Sequence, residues 1–348
     1  SPSSPSSPAA RGPYTSGGPS LVVTSSGRPG PPRAPAAVVS DDEDSPPRAP
    51  DVYRARTTGT AEDMSYVEIQ PTELEFTVSV GTGATAEVFK GIWKGMQVAI
   101  KDIHLQRKDA KSELKQQIAF MREVAVMSKV KHDNLVTLFG VSLSTRPLRV
   151  VTEFCHGDTL FALLHDDNDV DLSWRQKLKM CLDIARAMNY LHSFTPQIIH
   201  RDLKSLNLLL AQAVTRTADM PLVKVSDFGL ARMKDADPGS EWDKMTKEAG
   251  TCHWMAPEVP TGRYTEKVDI FSYAMVLFEI MCREIPFEEV EGKDAVRLVV
   301  SGERPDMEAV PPDRPQKLED LMVACWAQRP QDRPSFAEIS DVLKSVEL

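Results

Sequence analysis

Between Gln197 and Leu210 the chain reads QIIHRDLKSLNLLL. Ile198, Ile199, Leu203, Leu206, Leu208, Leu209 and Leu210 belong in a core, yet His200, Arg201, Asp202, Lys204 and Asn207 are threaded among them. Burying a charge without a partner is costly, so a chain seldom carries five such groups through an apolar run without a use for them. Imidazole, guanidinium, carboxylate, ammonium and amide are groups of proton transfer and charge stabilisation. The aliphatic residues between them read as the rigid bed that would hold them for that work.

Other positions invite two readings each. GTGATA (81–86) has two glycines near a strand, which alone would mark only a turn. A dinucleotide fold needs a helix after such a loop, whereas here a strand follows and turns back, so the glycines fall at a hairpin tip. Glycine there would let backbone N–H groups approach phosphates closely. Lys101 closes the apolar strand VAI, where a lysine commonly just reaches for solvent. On a helical wheel of 110–130, Lys115, Arg122 and Lys129 share the wet face, while Glu123 falls between Met127 and Val130 beside Phe120. A carboxylate on that side wants a cation, and Lys101 could be it. SDFGL (226–230) sets Asp227 after the strand LVKV, WMAPE (254–258) could be a proline turn, and Arg333 in DRPSF could be a surface charge. Their order is harder to dismiss: glycine loop, Lys101, Glu123, His-Arg-Asp, Asp-Phe-Gly, Ala-Pro-Glu, Asp269 on an apolar helix, then Arg333.

These groups need elements to position them. FTVSV (76–80) alternates as a strand does, and EVFKGIWKGMQVAIK (87–101) reads as two strands joined at Lys94-Gly95. Residues 110–130 have helical periodicity. LKMCLDIARAMNYLHS (178–193) and DIFSYAMVLFEIMC (269–282) are helices, the second apolar almost all round and therefore buried. Strands come early and helices late, which predicts an α+β fold with a small sheet-rich lobe followed by a larger helical one.

The 348 residues would by length alone suggest about two domains. Residues 1–50, however, hold 12 of the 26 Pro and 11 Ser with Tyr14 the single aromatic, too little apolar surface to offset ordering entropy. We therefore expect a disordered Ser/Pro-rich tail over 1–65 and one globular unit over 66–348. A net charge of −9 argues against nucleic-acid or anionic-membrane binding. No apolar run approaches the ~20 residues of a membrane span. The first residue is not Met and no apolar signal core follows, which reads as a trimmed terminus from which a targeting segment could have been removed. Five widely spaced Cys with no Cys-x-x-Cys pair read as reduced thiols of a cytoplasmic protein, without a zinc site.

Taken in order, the motifs over roughly 70–346 resemble the eukaryotic protein kinases. GIWKGMQVAIK, FMREVAVMSKVKHDNLV, HRDLKSLN and WMAPE are most similar to the tyrosine-kinase-like group, which includes the Raf and mixed-lineage kinases. The resemblance implies a bilobal kinase fold and transfer of the γ-phosphate of Mg-ATP to protein hydroxyls in signal transduction. Asp202 would accept or orient the substrate proton and Lys204 would stabilise charge on the γ-phosphate. Asn207 and Asp227 would hold Mg²⁺, and Lys101 would bind the α/β-phosphates, positioned by Glu123. Val80, Gly81, Gly83 and Ala86 would cover the nucleotide, and Val88, Ala99 and Leu209 would enclose adenine. Thr152 falls at the gatekeeper position, and Glu153 and Cys155 would offer hinge backbone groups. Lys204, and the lack of a proline before Trp254, imply Ser/Thr rather than Tyr specificity.

The sequence departs from the family at Ala86, where a third glycine is usual, at Ala274, and in a longer insert over 211–222. None of these removes a catalytic group, which weighs against the alternative of a pseudokinase scaffold that binds nucleotide without turnover. The family usually pairs the Arg201 position with an activation-loop phosphate; Thr246 is the expected site over Ser240, with Thr251 structural, and an upstream activating kinase is implied. In the tail, PRAP occurs twice (32–35 and 47–50), suited to polyproline-binding domains or to a passive linker, and Ser1, Ser4, Ser7 and Ser45 precede Pro as a proline-directed kinase would require.

Overall fold

Lys94 and Gly95 both take positive φ, +50° and +81°, and so close a two-residue hairpin between β2 (Ala86–Trp93) and β3 (Met96–Ile103). This is seen in a computed structural model that describes residues 66–82, 86–104, 110–166, 170–233, 249–262 and 264–347. The tail of residues 1–65, Gly83, Ser240 and Thr246 lie outside the described residues.

The first lobe is a five-stranded antiparallel sheet in the order β1-β2-β3-β5-β4, with β1 at Leu74–Thr82, β4 at Leu138–Ser142 and β5 at Leu148–Glu153. Helix α1 (Ala110–Met127) stands beside it. Strand alternation divides the faces. Val98 and Ile100 join Leu74, Trp93, Val151 and Ile69 in a small core on one side. Ala99 and Lys101 turn the other way, and their cross-strand partners Thr152 and Val88 share that face. Residues 67–69 run along the free edge of β4, with Ile69 N donating to Val141 O and Val141 N to Val67 O. A side chain at Gly140 would strike Val67 O and Ile69, so only glycine lets that segment lie so close.

The second lobe is helical: α2 (Trp174–His192), α3 (Lys267–Cys282), α4 (Gly292–Ser301), α5 (Gln316–Cys325) and α6 (Phe336–Lys344). Short strand pairs, β6 (Ile198–Ile199) with β9 (Arg232–Met233) and β7 (Leu208–Leu210) with β8 (Val223–Val225), accompany these helices. Ser173 caps α2 and Ser335 caps α6, each in a reciprocal box with Gln176 or Glu338. Helix α3 is buried from Val268 to Met281, as its sequence requires. The main core runs unbroken from Phe120 and Val124 of α1, through Phe228, to the helices. The 211–222 insert is stapled to α2, because the buried Gln176 donates to Arg216 O and Asp219 O.

Arg333 is a core residue, 2% exposed. It forks onto Glu258 at 2.7 and 2.9 Å, donates to Ala327 O and Lys267 O, and lies over the Phe271 ring. Removing one partner of such a pair leaves the other charge buried. Glu258→Ala is therefore expected to cost about 3–5 kcal/mol in urea unfolding. An unchanged midpoint would show that the fork carries no stability.

Candidate active site

The 200–207 loop is built on one carboxylate. Asp269, fully buried on α3, accepts from the amides of His200 (2.8 Å) and Arg201 (2.7 Å) and bonds His192 Nε2 (2.9 Å). Burial alone would raise its pKa, but the His192 hydrogen bond and charge, with the His200 amide, outweigh it and the net direction is down. Arg201 can then hold φ +66°, a region that costs a non-glycine residue energy unless its surroundings enforce it. His200 bonds Ser226 O through Nε2 and meets the Phe228 ring edge-on, tying this loop to the 226–229 turn.

Asp202 follows, 7% exposed. Its Oδ2 accepts from Asn207 Nδ2 at 2.8 Å and pairs with Lys204 Nζ at 3.1 Å. Asn207 Nδ2 also donates to Asp202 O, so the loop closes on itself. The remaining oxygen, Oδ1, is buried with no hydrogen-bond partner among the described residues. Burial raises the Asp202 carboxyl, with Lys204 opposing.

Across the cleft, Lys101 Nζ bonds Glu123 Oε1 at 3.0 Å and Asp227 Oδ1 at 3.4 Å. Burial would lower the ammonium, but Asp227 and then Glu123 more than offset it and hold Lys101 above its ordinary value. Glu123 is raised by burial against Lys101, while Lys101 holds Asp227 at about 2. Asp227 sits at φ +58° and accepts from Gly229 N. A side chain at Gly229 would come within 3.1 Å of that same Asp227 oxygen, so glycine keeps the turn tight.

The expected residues thus gather from distant parts of the chain. Lys101, Glu123 and Asp227 form one cluster, and Asp202, Lys204 and Asn207 another, joined when Ser226 N and Oγ donate to Asn207 O. Val88, Ala99 and Thr152 share the sheet face of Lys101, and Leu209 lies on β7, bridged to Thr159. Val80 and Gly81 lie in the last residues of β1, which ends at Thr82, and Ala86 opens β2. Burial pushes the Cys155 thiol up to about 12, so it is not a nucleophile at neutral pH. The Glu153 carboxylate turns away to accept from Thr137 N and Lys224 Nζ.

Lys224, Glu279 and Tyr264 had no place in the sequence reading. Glu279 accepts from Ser205 Oγ (2.5 Å) and Trp254 Nε1 (2.6 Å) and bonds His165. A lysine inside the strand LVKV and a carboxylate inside an otherwise apolar helix were the visible signals. Tyr264 carried none.

Residues 74–343 match the family described as protein tyrosine and serine/threonine kinase, and the chain belongs to that family. It is similar to the RGS domain-containing serine/threonine-protein kinase A of Dictyostelium discoideum, 37% identical over 81% of this chain and 23% of that one. It is similar too to the serine/threonine-protein kinases VIK and STY17 of Arabidopsis thaliana, each 37% identical over 80% of this chain, and 61% and 45% of theirs. The chain thus spans less than two thirds of these relatives' lengths. The likeness to Ser/Thr kinases of the tyrosine-kinase-like group is the one its motifs led us to expect. Among the described residues no helix is long and apolar enough to cross a membrane.

If Asp269 holds the loop, Asp269→Asn puts an amide N–H₂ among the His200, Arg201 and His192 donors. We expect a loss of about 1–3 kcal/mol in stability and faster hydrogen exchange at the His200 and Arg201 amides. Unchanged exchange there would remove Asp269 from this role.

Proposed function

We propose that residues 66–348 form a kinase domain that transfers the γ-phosphoryl group of ATP, with Mg²⁺, to Ser and Thr hydroxyls of protein substrates in signal transduction. The observation that carries this reading is Asp202: a buried carboxylate with one oxygen held twice and the other without a partner among the described residues. An orphaned buried oxygen is costly unless a ligand completes it, and a substrate hydroxyl does so.

The donor set suits a magnesium nucleotide. Asn207 commits its N–H₂ to Asp202 and Asp227 Oδ1 takes Lys101 and Gly229, which leaves one amide and one carboxylate oxygen as cation ligands. Among the described residues no group of three or more His, Cys, Asp or Glu is arranged to hold a metal. A hard cation here would need phosphate oxygens, as Mg²⁺ beside nucleotides does. Bound ATP supplies the phosphoryl group, and Mg²⁺ spreads its charge.

In this reading Asp202 Oδ1 orients the hydroxyl and accepts its proton, and Lys204 faces the transferring charge. Lys101, fixed by Glu123, binds the α/β-phosphates. Val88, Ala99 and Leu209 enclose the adenine beside Thr152, and the backbone of Glu153 and Cys155 meets its edge. Val80, Gly81, Gly83 and Ala86 cover the phosphates. Asp227 at about 2 stays ionised for the cation, while the raised Asp202 is nearer to exchanging a proton. Ser/Thr specificity rests on Lys204, on the segment before Trp254 and on the names of the relatives. All five cysteines are free thiols, which supports a cytoplasmic location. The proposed partners are protein substrates, an upstream activating kinase, and polyproline-binding domains on the two PRAP copies.

Lys101→Met is expected to lower phosphoryl transfer on the order of 10²–10³-fold while the chain still unfolds cooperatively, since Glu123 can take up a proton in place of its partner. Near-normal turnover would assign the phosphates to another lysine. Nucleotide binding without turnover in the unmodified chain would instead favour the pseudokinase. In a mixed peptide library, dominant phosphotyrosine would overturn the Ser/Thr assignment.

The pH profile gives a separate check. Asp202 must be ionised to accept a proton, so the rate is full above its raised pKa and falls as pH drops through it. Asp227 titrates too low to set that limb. Lys204→Met removes the charge that holds Asp202 down and should move the acid limb to higher pH. Glu123, also raised, would not respond to Lys204, so an unmoved limb would assign it to Glu123.

A further inference from the structure

Three buried polar side chains share one face of α3, a helix otherwise largely apolar. Asp269, Ser272 and Glu279 are spaced by three and seven residues, close to whole turns, so they stand along one side of it. Asp269 takes the His200 and Arg201 amides. Ser272 Oγ donates to Trp254 O at 2.8 Å. Glu279 receives Ser205 Oγ on Oε1 at 2.5 Å, beside His165 Nε2 at 3.1 Å, and the Trp254 indole N–H on Oε2 at 2.6 Å. Trp254 is therefore held at both ends, its carbonyl by Ser272 and its ring by Glu279.

Ser205 stands between Lys204 and Asn207, the two residues that hold Asp202 Oδ2. One carboxylate thus bonds the loop that carries Asp202 on one oxygen and the segment that opens WMAPE on the other. A cavity is lined by Asp202 and Leu203 of the loop and by Trp254, Met255 and Ala256 of the segment. Across that gap the spacing of the two is set through α3. Hydrogen bonds to a buried carboxylate are charge-assisted and strong, which suits them to holding a distance. Each piece of chain has further ties, Arg201 Nη1 donating to the Tyr264 hydroxyl at 2.9 Å and His253 Nε2 bonding Val290 O at 3.2 Å. Losing Glu279 would therefore shift them against each other rather than release them.

We propose that Glu279 is a positioning residue for the acceptor peptide: its two oxygens, on Ser205 and Trp254, fix the distance between Asp202 and the 254–256 segment, against which a peptide presenting its hydroxyl to Asp202 rests. The inference rests on the kinase reading above. ATP lies on the side of Lys101 and Asp227, which Glu279 does not touch, so its binding is independent of this clasp. Both partners of Glu279 meet it as donors, and an indole N–H can only donate, so the Trp254 side needs an oxygen while a serine hydroxyl can turn to accept.

The test measures kcat and both KM values of the full chain with a Ser-containing peptide. Trp254→Phe keeps a buried ring and removes the N–H; KM for peptide should rise about tenfold, as for a lost hydrogen bond to a charged group, with KM for ATP unchanged. Ser205→Ala should instead lower kcat about tenfold with both KM values unchanged. Glu279→Leu, which takes the acceptor from both, should show the two defects together. Glu279→Gln should restore the peptide KM, because its amide oxygen still serves the indole, but not kcat. A loss of folded protein alone would lower kcat in every variant and move neither KM, and thermal midpoints record it. Three results overturn the inference: a wild-type peptide KM in Trp254→Phe, a wild-type kcat in Ser205→Ala, or a KM for ATP that rises together with that for peptide. Absence of turnover in the wild type would overturn the kinase reading instead.

Discussion

The fully buried Asp269 carboxylate is the constraint on which the site turns. Desolvating it is costly, and two backbone amides and an imidazole offset that cost by converging on its two oxygens. In return the loop that begins at His200 is pinned to the best-buried helix of the molecule. Arg201 is held in the left-handed region, which turns the chain immediately before Asp202. A loop so placed needs little side-chain motion to present its groups, and that is the condition under which fixed charges act most strongly on a reacting phosphate.

Three aspartates on or near this loop are given different characters by their surroundings. Asp269 is held low by hydrogen bonds, Asp227 is held at about 2 by Lys101, and Asp202 is raised by burial despite Lys204. The division follows from which cation each one meets. Lys101 touches Asp227 and Glu123 but is not bonded to Asp202, and Lys204 reaches Asp202 from the same loop. Two carboxylates can thus stand close together without sharing a pKa, as the proposed proton-handling and cation-holding roles of Asp202 and Asp227 require.

Two further buried charges extend this frame. Glu279 collects Ser205, Trp254 and His165, so the 200–207 loop and the segment before Ala-Pro-Glu are bonded to the same helix that carries Asp269. Lys224, on β8, reaches the Glu153 carboxylate at the end of β5 and so links the sheet lobe to the strand that leads into Asp227. With a core continuous from α1 through Phe228 into the helices, the lobes are coupled by apolar contact and by this ion pair together.

The sequence by itself determined the elements and the candidate residues. The period-2 strands, the Lys94-Gly95 turn, the α1 face carrying Glu123 and the apolar α3 are local properties, and each appears where its pattern predicts. The order of short motifs sufficed to pick out Lys101, Glu123, Asp202, Lys204, Asn207 and Asp227 as candidates, because each stands in or beside an apolar run that makes a polar group conspicuous. What only the tertiary structure decided is who partners whom. Glu123 wanted a cation, but that it meets Lys101, and that Lys101 also holds Asp227, depends on how α1 lies against the sheet. Arg333 could have been a surface charge or the last of the ordered motifs, and only its acceptor Glu258, 75 residues away, shows it buried and paired. Tyr264 left no trace because a tyrosine before a helix is unremarkable until Arg201 is found beside it. Periodicity is written in neighbouring residues, whereas hydrogen bonds and pKa shifts depend on atoms brought within about 3 Å by folding, and no local pattern encodes that distance.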